Sequence, residues 1–137
     1  MDSLKRILLI FGVVFGSATV VAVAGTVLFA YALSRADPFP AFMEEFAPKG
    51  VRSYEETRKA FSMFVIQAFP VGSDAEGATK LIADGGFQVQ GSSTPNSVYM
   101  LWSRHAGPCS ERYSIIIDRT ADGKIAKATG QLHPICL

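Results

Sequence analysis

The run Ile7–Leu33, ILLIFGVVFGSATVVAVAGTVLFAYAL, carries neither a charged residue nor a proline over 27 residues. As a helix it would be about 40 Å long, longer than the roughly 30 Å hydrocarbon core of a bilayer. A helix apolar all round must be buried all round. The rest of this 137-residue chain is too small to enclose it. The run therefore predicts a single spanning helix within residues 1–34.

A cleavable signal peptide is the rival reading. Lys5 and Arg6 form a basic start, and Ala22-Val23-Ala24 before Gly25 resembles a small-residue cleavage site. The apolar run continues nine residues past Ala24, which a signal peptide does not need, so an uncleaved signal anchor is expected. Lys5 and Arg6 favour a cytoplasmic N-terminus, although Arg35, Lys49 and Arg52 dilute the asymmetry. The rest of the chain then lies in the periplasm, on the outer side of a bacterial inner membrane. On a helical wheel Gly12, Gly16, Thr19, Ala22, Thr26 and Ala30 share one side, with a GxxxG spacing between the two glycines. Such small residues let helix backbones approach closely. The expected partners are therefore the lipid bilayer and other membrane subunits docked at this face.

Nucleic acid is excluded as a partner. Thirteen Lys/Arg against twelve Asp/Glu leave a net charge of +1, without a basic run to follow a phosphate backbone.

Beyond the run, residues 35–52 read as a juxtamembrane linker, punctuated by Pro38 and Pro40. Phe39, Phe42 and Phe46 suit either the lipid interface or a core. Residues 53–137 read as the folded domain. Ser53-Tyr54-Glu55-Glu56 has the form of a capping box, and Tyr54, Thr57, Phe61, Phe64, Val65 and Ala68 follow as one helical stripe up to Pro70. Ser73-Asp74-Ala75-Glu76 opens a second helix over 74–84, stopped by Gly85-Gly86. The period then changes to two. Val98, Met100 and Trp102 alternate with Tyr99, Leu101 and Ser103, and Tyr113, Ile115 and Ile117 alternate with Ser114, Ile116 and Asp118. Asp122-Gly123 marks a hairpin into a last strand. The pattern predicts an α+β fold: a spanning helix, then a small two-layer domain with short helices on an antiparallel β-meander.

If that hairpin pairs the last two strands, the start of one lies beside the end of the other. Cys109 then meets Cys136, and a disulfide closing the loop between them would stabilise by about 3 kcal/mol. Disulfides persist in oxidising compartments, in agreement with the orientation above. A Cys₂His₂ zinc centre from His105, Cys109, His133 and Cys136 is the sharper alternative, and free thiols the third.

No catalytic signature stands out, and no cofactor is expected. Ser110, His133 and Asp118 could form a triad only on paper, without a GxSxG elbow to support them. Neither GxxxxGK[ST] nor GxGxxG occurs. Tyr99, Trp102, Arg104 and Tyr113 compose a possible binding face, against the reading that alternate members are core.

The segments VGSDAEGATKLIADGGF, VYMLWSR and IIIDRTADGKIAKATG together resemble the small SmpA/OmlA (BamE-like) envelope domain over residues 70–137. That family usually carries a lipoprotein cysteine, which the spanning helix would replace here. The resemblance implies an envelope scaffold or accessory subunit rather than an enzyme. A non-catalytic subunit of a larger membrane complex is thus the first expectation, and an anchored ligand- or peptide-binding module the second.

Overall fold

The computed structural model describes residues 20–31, 35–47, 53–91 and 94–136. The chain divides into two units, Met1–Arg35 and Ala36–Leu137.

In the first unit residues 20–31 are helical, here α1. Its side chains are exposed throughout, including Val21, Leu28 and Phe29. Thr26 satisfies its hydroxyl locally, donating to the carbonyls of Ala22 and Val23. Among the described residues no helix is long and apolar enough to cross a membrane. The expected span begins in residues 7–19, outside the described residues, as do Gly12, Gly16 and Thr19 of the small-residue face; Ala22, Thr26 and Ala30 lie on α1.

The second unit is α+β. Helices α2 (Tyr54–Ala68) and α3 (Ala75–Asp84) precede a four-stranded antiparallel sheet of order β1 (Gln88–Gln90), β2 (Ser97–Ala106), β3 (Cys109–Arg119), β4 (Ile125–Cys136). The capping box at α2 forms as its spacing demands: Ser53 Oγ accepts the Glu56 amide, and Glu56 accepts the Ser53 amide. For α3 the cap falls one residue later than expected. Asp74 accepts the Gly77 amide, while Ser73 is held in the preceding turn by its bond to the Pro70 carbonyl. Gly86, at φ 93°, makes the left-handed turn after α3.

Alternation along β2, β3 and β4 buries one face of the sheet. Met100, Tyr113, Ile115, Ile117, Ile125 and Leu132 meet Phe61 and Val65 of α2 and Ile82 of α3. Helix α2 lies chiefly on β4, closely enough that a Cβ at Gly130 would stand 2.6 Å from Val65 Cγ2. Of the two short helices expected on the meander, α2 supplies most of the cover.

Part of the segment expected to be a linker packs into the core. A 3-10 turn at Ala41–Met43 buries Met43, and Phe46 beside it is buried. Phe39, Phe42 and Phe46 contact Tyr113, Phe87 and Phe61 with ring centroids 5.8, 5.8 and 5.2 Å apart. Phe46 is buried and Phe39 and Phe42 are half-buried against the same cluster, so all three pack with the core; full burial of a ring such as Phe46 contributes on the order of 2 kcal/mol.

Candidate functional site

Two places among the described residues of the folded unit gather polar chemistry: a knot under the strap formed by residues 36–47, and a cleft on the uncovered face of the sheet.

The knot follows from the β2–β3 hairpin. Gly107, at φ 64°, opens a two-residue turn with Pro108, so Ala106 faces Cys109 and Arg104 faces Glu111. Both side chains lie on the helix-covered side and are nearly buried, with Arg104 Nε donating to Glu111 Oε2 at 2.7 Å. The same oxygen accepts from the Tyr113 hydroxyl at 2.8 Å. Arg104 also donates to the Asp37 carbonyl, and its guanidinium sits 3.9 Å over the Phe39 ring. Burial, then the Glu111 hydrogen bond and charge, pushes the Tyr113 phenol far above its ordinary value. Burial and the Glu111 charge raise Tyr54 in the same direction.

The knot fastens the strap. Asp37 donates its amide to the His105 carbonyl, and its carboxylate accepts the His105 amide, both at 2.9 Å. β1 covers only Tyr99–Leu101 of β2, and the strap takes the vacant edge further along, at Ala36–Ala106. One row of the sheet then runs Ala36, Ala106, Cys109, Cys136. The cysteines are joined in a disulfide, with Cα atoms 4.1 Å apart. With both sulfurs bonded to each other, neither is a zinc ligand. The last strand is therefore stapled at the row where the strap enters.

The cleft, about 430 Å³, lies on the other face. Tyr99 and Leu101 form one wall, Ser114 is buried at the floor, and Arg112, His133 and Ile135 form the rim. Arg112 and His133 are opposite each other across β3 and β4. The arrangement offers apolar contact with two donors at one end. It suits contact with an amphipathic molecule or chain segment.

Comparison with protein-family models, curated proteins and solved structures found no match. The functional reading therefore rests on the residues alone.

Of the expected binding face, only Tyr99 lies on the open side. Trp102, Arg104 and Tyr113 lie on the covered side, where the Trp102 and Tyr113 rings are 5.5 Å apart. The paper triad is not assembled. Ser110 and Asp118 are eight residues apart on β3, about 26 Å at strand rise, and Asp118 accepts from Ser97. Among the described residues no group of three His, Cys, Asp or Glu side chains is placed to hold a metal. Glu111 was missed, although its signal was present: once the turn is placed at Gly107-Pro108, Arg104 and Glu111 are symmetric about it.

Proposed function

We propose that this chain is a non-enzymatic accessory subunit of a membrane complex, anchored by its N-terminal apolar run and presenting a small disulfide-stapled domain outside the cytoplasm. The observation that carries the reading is α1. Its Val20, Val21, Leu28 and Phe29 expose 67–71% of their surface, an apolar helix surface suited to cover by lipid or a partner's helix. The Cys109–Cys136 bridge supports an oxidising compartment. The small residues Ala22, Thr26 and Ala30 support docking of one helix side against another membrane helix. The knot supports a structural rather than catalytic role for the buried charges, because each is satisfied within the fold.

Purification of the full chain from membranes in mild detergent tests this reading. Stoichiometric membrane proteins eluting with it are expected, and a lone protomer would overturn the subunit role. The open-face cleft favours a second reading, an anchored ligand- or peptide-binding module. In that case Tyr99→Ala would abolish ligand retention while leaving co-elution intact.

A further inference from the structure

The cleft on the open face gathers hydrogen-bond donors that the fold itself does not use. Ser114 exposes only 2% of its surface, yet its hydroxyl has no partner among the described residues. No side-chain nitrogen or oxygen there is both sealed from solvent and unpartnered, so this hydroxyl opens on the cleft that it floors. Arg112 lies two residues before Ser114 on the same face of β3, and His133 is directly opposite Arg112 on β4. Neither side chain has an ion pair or a hydrogen bond among the described residues. The guanidinium can only donate, and the imidazole offers an N–H in either protonation state. Directly opposed residues stand about 5 Å apart at Cβ, so both can reach one ligand group. Among the described residues no carboxylate lines the cleft. Asp118, the acid on this face of β3, is four residues beyond Ser114, about 13 Å at strand rise, and accepts from Ser97. Glu111 faces the covered side, where Arg104 and Tyr113 hold it.

Beside these donors stand apolar groups, half-buried Tyr99 and Leu101 on one side and exposed Ile135 on the other. A volume of about 430 Å³ suits one small molecule. A peptide fits less well. β3 is paired along both edges, with β2 and β4, so its backbone groups are committed to the sheet. A segment lying on this face finds no main-chain partners there.

We propose that the cleft binds a small amphipathic acid. Arg112, His133 and Ser114 hold its carboxylate, and Tyr99, Leu101 and Ile135 line its apolar body. The guanidinium fork matches a carboxylate with two parallel bonds, which favours an acid over a neutral polar group. The proposal rests on the binding-module reading and names what that module holds.

The test is an NMR titration of the isotopically labelled full chain in zwitterionic detergent. It is read at the Arg112 Nε–H and at the backbone amides of Leu101, Ser114 and His133. The probes are butyrate and octanoate, and octanamide, octylamine and inorganic phosphate are the controls. Octanoate should give saturable shifts at these positions. It should bind about tenfold more tightly than butyrate, octanamide or phosphate, and octylamine should give no shift. Arg112→Gln should weaken octanoate about tenfold and Ser114→Ala about threefold. Arg112 is exposed and Ser114→Ala only removes an oxygen, so both variants should keep the fold, which unchanged Trp102 fluorescence would verify. The octanoate–octanamide comparison involves no substitution and stands whether or not a variant folds. Equal binding of octanamide would overturn the acid selectivity and leave the binding module intact. Equal binding of phosphate would overturn the apolar half of the site. No saturable shift at these positions with any probe would overturn the site and the module reading together.

Discussion

Replacing Arg104 by Met removes one partner of a nearly buried ion pair and leaves the Glu111 carboxylate without its counter-charge. Breaking such a pair from one side costs about 3–5 kcal/mol, because the remaining charge is desolvated without compensation. The strap loses the Asp37 carbonyl contact and the guanidinium on Phe39 at the same time. Against a domain stability on the order of 5–15 kcal/mol, that is a large fraction. Urea unfolding of the full chain in detergent would measure it through the fluorescence of Trp102, which contacts Phe39, Phe87 and Tyr113 and so reports directly on the strap. Adding Glu111→Gln should recover part of the loss. The amide removes the stranded charge and still accepts from the Tyr113 hydroxyl, so the two changes should be coupled by about 1–3 kcal/mol rather than additive. A loss below about 1 kcal/mol for Arg104→Met, or strict additivity in the double variant, would refute the claim that this pair fastens the strap.

Gly130→Ala should destabilise by about 1–3 kcal/mol in the same assay, since its methyl meets Val65 at 2.6 Å, and Val65→Ala should relieve part of that cost. Stability should fall as pH rises past about 10, by about 1.4 kcal/mol per pH unit for the Tyr113 phenol. The sign follows because the folded chain keeps the Tyr113 proton where the unfolded chain releases it. Tyr113→Phe should flatten the alkaline slope of the urea midpoint. Replacing Cys109 and Cys136 by Ser should cost about 3 kcal/mol and speed amide exchange at Asp37 and His105, which share the stapled end of the sheet.

The parts of this fold that were legible in sequence are those decided by local spacing. The Ser53–Glu56 box needs only a three-residue offset, and the meander needs only alternation with a turn signal such as Asp122-Gly123. The disulfide followed from strand register, because a hairpin places the start of β3 beside the end of β4. What escaped was tertiary. Pro38 and Pro40 interrupt the strap, so Phe39, Phe42 and Phe46 carry no clean period, and nothing local says that they roof Tyr113 and Phe87. The shift of the α3 cap from Ser73 to Asp74 likewise depends on a turn bonded to distant Ile125. Part of the split of the candidate binding face between two sides of the sheet was legible in sequence. Tyr99 and Trp102 differ by an odd number on one strand, so they cannot share a face of a regular sheet. Which of the two points to solvent required knowledge of where α2 lies.

The central claim is a chain held in lipid by its apolar start while its domain folds under oxidising conditions. Alkaline carbonate extraction of membranes, followed by intact-mass analysis after thiol alkylation without reductant, tests both halves together. The account predicts sedimented protein of full length with both cysteines unlabelled. Extracted protein that begins after Ala24, or two alkylated thiols, would contradict it.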